Sequence, residues 1–154
     1  LENGLEYLAV SDPATNAAAA AIDVKVGSFD DPPDLLGLAH FLEHMLFMGS
    51  KKYPQEDEYS SFLASHQGAS NAFTASEHTN FYFAVNPSDL HASLDRFSRF
   101  FVDPLINRDS MEREANAVNS EHAKNIQADI WREEQVLKSL ARKSHPYSRF
   151  STGN

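Results

Sequence analysis

The sequence contains no cysteine, which excludes disulfide bonds and thiolate metal ligands. Any metal ion bound here must therefore use mainly nitrogen and oxygen ligands. No run of apolar residues approaches the roughly 20 that a membrane-spanning helix needs. Basic residues are also few. The 13 Lys and Arg stand against 22 Asp and Glu, and the formal net charge of −9 argues against nucleic acid as a partner.

What the sequence does contain suits one globular domain over residues 1–154, since hydrophobic residues make up 42% of the chain. The chain starts on Leu1 and closes on the loop-like Thr152-Gly153-Asn154, so we expect a piece of a longer protein. No basic leader is visible at the start. From this and from the missing cysteine we expect cytoplasmic residence.

Hydrophobic periodicity predicts the order of helices and strands along the chain. Strands are expected at residues 5–10, 18–26, 70–74 and 78–85, where apolar and polar residues alternate or β-formers cluster. Helices are expected at residues 35–49, 54–66, 87–103 and 109–140, the last with a break before its final third. The sequence thus predicts an α+β fold, with antiparallel or mixed strand pairing and helices packed on one side of the sheet.

The helix expected at residues 35–49 is apolar nearly all round, which predicts that it is buried. Asp34 precedes it and is expected to cap its first turn. Ionisable side chains within such a helix need partners, and a metal ion is one of the few partners that satisfies several of them at once.

Residues 40–44 of this helix read His-Phe-Leu-Glu-His, with His40 and His44 one turn apart and Glu43 on the same side. Two imidazoles at this spacing can bind one zinc ion through ring nitrogens. The carboxylate of Glu43 is then placed to take a proton from a water on that ion. The order H-x-x-E-H is typical of inverzincin metallopeptidases. The alternative is a helix with two ordinary histidines and a solvated glutamate.

A catalytic zinc ion usually has three protein ligands and one open position, so a third ligand is needed here. Glu121 is the best candidate by local pattern, because it lies on a predicted helix with Glu114 two turns earlier on the same face. Neighbouring alanine and valine residues indicate that this face is partly buried. A surface acid on an amphipathic helix is the alternative, since Glu is mostly exposed in proteins.

Several segments together carry a resemblance to a known family. They are GLAHFLEHMLFMG at residues 37–49, KYP at 52–54, SNAFT at 70–74 and NAVNSEH at 116–122, with seventy-six residues between His44 and Glu121. In these segments the chain resembles the pitrilysin/insulysin family of inverzincin zinc metallopeptidases, and the likeness covers essentially its whole length. The resemblance implies a zinc-dependent endopeptidase.

Matched position by position, the resemblance implies that His40, His44 and Glu121 hold Zn²⁺ and that Glu43 activates the water. Glu114 matches a second acidic position near the site, and we expect it to orient a ligand histidine. These five side chains form the predicted catalytic and metal-binding set.

The resemblance also implies that Asn71, Ala72 and Phe73 belong to an edge strand along which a peptide substrate lies. β-Addition of this kind gives main-chain hydrogen bonds without selecting a sequence. Phe73 would offer an apolar wall near the cleaved bond. Plain core packing is the alternative for this side chain.

Family members are several times longer, and their homologous domains enclose a chamber. The resemblance therefore implies that this chain is most of the first, zinc-binding domain, that its partners are peptides and the remaining domains, and that it is weakly active or inactive alone. One alternative is a non-catalytic homologous domain that acts as scaffold or substrate-binding wall. Another is a structural zinc site closed by a fourth ligand, for which His78 and His122 are available.

Overall fold

The computed structural model describes residues 1–153. In these residues, one three-stranded sheet is combined with five α-helices. The strands are β1 (Ala18–Val24), β2 (Ala69–Thr74) and β3 (Thr79–Val85), and the helices are α1 (Leu38–Leu46), α2 (Glu58–Ser65), α3 (Leu90–Val102), α4 (Arg108–Asn125) and α5 (Asp129–Leu140). The predicted α+β class is confirmed, and the predicted break in the last long helix falls between α4 and α5.

The sheet is antiparallel throughout, with β3 in the centre and the order β1-β3-β2. Alternate residues of β3 are buried, so that Phe81, Phe83 and Val85 face the helices while Tyr82 is exposed on the other side. This alternation places the helices on one face of the sheet. Among the described residues β2 pairs only with β3, which leaves the outer edge of β2 open close to α1.

The core lies between the sheet and helices α1 to α3. The aromatic stripe of α3 is part of it, because Phe97 packs edge-on to Phe83, and Phe100 packs edge-on to Phe47 and Tyr59. Interlocked rings of this kind bury large apolar areas and add favourable edge-to-face contacts. The core thus fixes α1, which carries the motif histidines, against the sheet.

The segment between α1 and α2 is tied to α3 through polar contacts. Lys52 and Tyr53 both donate hydrogen bonds to the Asp95 carboxylate, and these bonds lower the pKa of Asp95 to about 2. Arg96 stacks its guanidinium on the Tyr53 ring, 4.5 Å from the ring centroid. The motif at residues 52–54 therefore fastens the chain that leaves α1.

The predicted strand at residues 5–10 is wrong. No strand is formed there, and Tyr7, Leu8 and Val10 are more than 70% exposed. The residues have strand propensity, but none of the described residues pairs with them, and an extended segment without a neighbouring strand gains no ladder hydrogen bonds.

The predicted start and cap of the motif helix are also wrong. α1 begins at Leu38, because Gly37 has a φ of +90° and a left-handed residue cannot continue a right-handed helix. Asp31, and not Asp34, accepts hydrogen bonds from the backbone N–H groups of Gly37 and Ala39, at 2.7 and 2.8 Å. The position of the glycine decides which aspartate reaches the free amides.

The expected burial of the whole motif helix is only partly observed. Met45 and Leu46 are buried, whereas Leu38 and Leu42 are 42% and 43% exposed. One face of α1 thus contacts the core, and a second apolar face is left uncovered by the described residues. None of the helices formed by residues 1–153 combines the length and apolarity that a bilayer crossing requires.

Candidate metal centre

Helix α1 presents two imidazoles on one side, one turn apart. The rings of His40 and His44 meet edge to face with centroids 4.9 Å apart. Both Nε2 atoms lie 3.6 Å from the same oxygen, Oε2 of Glu121 on α4. One ligand atom from each of these three residues lies within 4.8 Å of the others. The structure therefore brings the three predicted ligands together across 77 residues of chain.

The second nitrogen of each ring is already in use. His40 Nδ1 lies 2.6 Å from the carbonyl oxygen of Thr152, and His44 Nδ1 lies 3.1 Å from Oε2 of Glu114. A carbonyl oxygen can only accept, so His40 Nδ1 carries the proton, and an ionised Glu114 requires the same of His44. In the neutral rings, both Nε2 lone pairs then point towards Glu121.

This arrangement fits a zinc ion. When both rings are neutral, two Nε2 lone pairs and a carboxylate oxygen face one region, and a cation among them would offset the repulsion between these acceptors. Histidine ligands of zinc usually donate their other N–H to a carboxylate or a backbone carbonyl, as both rings do here. Two nitrogens and one carboxylate oxygen also form a ligand set common to catalytic zinc sites.

Glu43 lies beside the three converging residues and is only 8% exposed. Its Oε2 accepts a hydrogen bond of 2.6 Å from the Thr74 hydroxyl, at the end of β2. No second hydrogen bond to this carboxylate is formed within residues 1–153, so Oε1 remains available to a reactant. Glu43 therefore combines burial, a fixed orientation and one free oxygen.

A cleft of about 480 Å³ connects these groups with the sheet. Its lining is made of residues from α1 and the turn that follows it, from β2, from α4 and from the start of α5. The residues are His40, Glu43, His44, Phe47, Met48, Asn71, Ala72, Phe73, Thr74, Glu114, Glu121 and Trp131. All eight predicted site residues are among them. Phe73 is 47% exposed, so the structure does not place it in the core, which was the alternative for this ring.

The two spare histidines lie elsewhere. His78 bonds through Nδ1 to Oδ2 of Asp23 at 2.7 Å, and His122 packs edge-on to Phe150 with ring centroids 4.9 Å apart. Neither belongs to the converging group, and within residues 1–153 no fourth His, Asp or Glu joins it. The contacts of these two histidines therefore do not support a structural site closed by either of them.

Sequence reasoning missed two residues that complete this centre. Thr152 acts through its backbone carbonyl, which carries no side-chain signal. Thr74 was included in a matched segment but received no role. Its position at the end of a strand that faces the motif helix was the signal that could have found it.

A glycine pair holds the Thr152 carbonyl against α1. A Cβ on Gly37 would lie 2.3 Å from Cα and 2.5 Å from N of Gly153, so the two backbones can meet this closely only if residue 37 is glycine or the segment moves. Arg149 adds a hydrogen bond of 3.3 Å from its guanidinium to the Asp31 carbonyl. The closing segment is therefore docked on the start of α1.

Replacing Gly37 with alanine is expected to push this segment away and to lower zinc affinity about 10- to 100-fold, the usual effect of losing a hydrogen-bond partner of a ligand histidine. Zinc titration against a competing chelator measures the change. Gly4→Ala is a matched control, because Gly4 also has a positive φ but no atom within 4 Å of its added Cβ. Equal losses in both variants would show that the loss does not come from the contact between Gly37 and Gly153.

Comparison with known proteins agrees with this geometry. The family model described as "Insulinase (Peptidase family M16)" matches residues 7–144. The A-factor-processing enzyme of Saccharomyces cerevisiae is 57% identical over all 154 residues, and human insulin-degrading enzyme is 53% identical over the same length. A crystal structure of pitrilysin superposes on 94% of the chain with a TM-score of 0.89 and 43% sequence identity.

The chain spans about 15% of the length of each of these proteins. Its own length is nevertheless covered almost completely, by the family model as well as by the relatives. The resemblance inferred from the motifs at residues 37–49, 52–54, 70–74 and 116–122 is thereby confirmed. The chain belongs to the insulinase family of metallopeptidases.

Proposed function

We propose that this chain is the zinc-binding part of an endopeptidase that hydrolyses peptides. The observation that carries the proposal is the convergence of His40 Nε2, His44 Nε2 and Glu121 Oε2, with the Glu43 carboxylate beside them in one cleft. Family membership supports a peptidase, and the ligand geometry supports zinc. We further propose that residues 1–154 form one domain and that it resides in the cytoplasm.

His40, His44 and Glu121 would hold the ion, and Glu114 and the Thr152 carbonyl would keep the two rings in the required tautomer. The Glu114 carboxylate does so without touching the reactants, because it bonds the far side of the His44 ring. When bound, zinc acts as a Lewis acid that lowers the pKa of a water molecule to about 7.

Glu43 would serve as the general base and then as the general acid. It accepts the proton of the attacking water on Oε1 and returns it to the nitrogen of the leaving amine. Its low exposure supports this role, since few water molecules compete for the carboxylate. In a Glu43→Gln variant, the glutamine would keep the shape of the side chain but could not accept the proton.

The open edge of β2 would bind the substrate. No other strand pairs with its outer edge within the described residues, and an extended peptide can pair there as an added strand. The Ala72 N–H donates to Oδ1 of Asn71 at 2.9 Å, a bond that a bound peptide would replace. Asn71, Ala72 and Phe73 line the cleft next to the converging ligands. Backbone pairing would select an extended conformation, and the exposed Phe73 ring would contact one substrate side chain.

The activity of the whole protein is part of the same proposal. Because the relatives are several times longer, we propose that further domains enclose this cleft and supply the groups that stabilise the oxyanion. A non-catalytic scaffold is the alternative. The presence of Glu43, His40, His44 and Glu121 in one cleft counts against it, because a scaffold needs none of these groups.

A quenched fluorescent peptide assay on the full-length protein tests the proposal. Hydrolysis is expected to stop when a chelator removes the metal and to return on addition of zinc. N-ethylmaleimide has no thiol to modify within these residues, so inactivation by it would have to come from a cysteine elsewhere in the full-length protein. Activity that survives complete metal removal would refute the zinc-peptidase function. Residues 1–154 alone are expected to bind zinc but to cleave the same peptide far more slowly.

A further inference from the structure

One hydrogen bond joins the proposed base to the proposed substrate strand. Thr74 is the last residue of β2, and its hydroxyl donates to Oε2 of Glu43 at 2.6 Å. We propose that Thr74 is a positioning residue that aims the Glu43 carboxylate for proton transfer and couples its orientation to β2. This inference rests on the proposed function, because it gives Thr74 a role in the same hydrolysis.

The bond decides which oxygen of Glu43 reacts. Each carboxylate oxygen can accept hydrogen bonds, so a free carboxylate could offer either one to the water. With Oε2 engaged by Thr74, Oε1 is the oxygen that receives the proton. Oε2 keeps its lone pairs after that transfer and can continue to accept from the hydroxyl. The contact therefore holds the side chain in place in both protonation states.

The position of Thr74 is fixed by its pairing with β3. It pairs with Thr79 across the β2–β3 hairpin, and Thr79 is buried. The Thr79 hydroxyl donates to the carbonyl oxygen of Val26 at 2.9 Å, and its Oγ1 lies 3.4 Å from Oγ1 of Thr74. The Thr74 proton goes to Glu43, because Thr74 Oγ1 lies 2.6 Å from the carboxylate oxygen and 3.4 Å from the Thr79 hydroxyl. The donor is thus oriented by the fold before any substrate binds.

The strand that carries Thr74 is also the one with the open edge. Phe73, its neighbour, faces the cleft, and both residues line the same cavity as Glu43. A peptide paired with β2 would order the strand backbone, and the hydroxyl moves with that backbone. Base orientation and substrate alignment are therefore linked through a single side chain.

Two variants of the full-length zinc enzyme test the role. Thr74→Val removes the hydroxyl and is expected to lower kcat roughly 10- to 100-fold, the scale of a small misplacement of a catalytic group, with KM and zinc content unchanged. Thr74→Ser restores the hydroxyl and is expected to recover most of kcat. A Thr74→Ser variant as slow as Thr74→Val would overturn the inference, because the methyl group would then be what matters.

A second readout does not use activity. In the zinc-free protein, Thr74→Val is expected to lower the melting temperature when Glu43 is present and to have a smaller effect in a Glu43→Ala background, as a double-mutant cycle detects for contacting residues. Equal shifts in both backgrounds would overturn the inference. If the wild-type protein shows no zinc-dependent hydrolysis, the proposed function and this inference both fail. If the wild-type protein is active and Thr74→Val has an unchanged kcat, only this inference fails.

Discussion

A full-length protein that carries Glu43→Gln is expected to bind zinc as wild type does and to hydrolyse peptides at least about 100-fold more slowly. Glutamine keeps the length and shape of the side chain, and its amide oxygen can still accept from Thr74. It cannot take a proton from water at neutral pH. The variant therefore separates proton transfer from metal binding, which a truncation to alanine would not do as cleanly.

Steady-state kinetics and zinc analysis on the same preparation measure both properties. Glu77→Gln is the matched control, because Glu77 is an exposed glutamate in the turn after β2 and is absent from the cleft lining. It removes the same charge close to the site without touching the proposed base. Near-normal turnover in Glu43→Gln would remove Glu43 from its role, whatever the zinc content.

Replacing His44 with alanine is expected to abolish stoichiometric zinc binding. The change removes one of three ligand atoms and leaves Glu114 without the ring nitrogen that it contacts at 3.1 Å. Loss of a group that merely bonds to a ligand histidine costs about 10- to 100-fold in metal affinity, so loss of the ligand itself should cost more than that.

Metal analysis of the purified variant at pH 7 provides the measurement. His91→Ala is the control, since His91 is an exposed histidine on α3 outside the converging group. The control corrects for non-specific binding of zinc to surface imidazoles. One zinc ion per chain in His44→Ala would mean that the ligand set is wrong.

The sequence predicts those residues of this centre whose relative positions follow from their spacing along one helix. His40 and His44 lie one helical turn apart in any helix, so their shared face with Glu43 follows from periodicity alone. Glu121 is different, because its spacing left a surface acid as a strong alternative, and the family resemblance was needed to prefer it. Its 3.6 Å distances to both rings are a product of how α4 packs on α1.

The parts that could not be predicted depend on long-range packing or on missing partners. Asp31 caps α1 in place of Asp34 because Gly37 adopts a left-handed conformation, which no pattern of apolar residues reveals. Residues 5–10 have the composition of a strand, yet propensity alone forms no ladder without a neighbour. The Thr152 carbonyl is a backbone group, and every residue of the chain carries one. Only its position in the folded structure sets it apart.

The contact between His40 and Thr152 also has a consequence for biosynthesis. The imidazole is made 112 residues before the carbonyl that sets its tautomer. While the chain emerges from the ribosome, α1 can fold and the core can begin to form, but the His40 ring has no fixed proton until the last residues of this region are free to dock. If His40 binds zinc as proposed, a nascent chain would reach its full affinity for the metal only after residue 152 has left the exit tunnel.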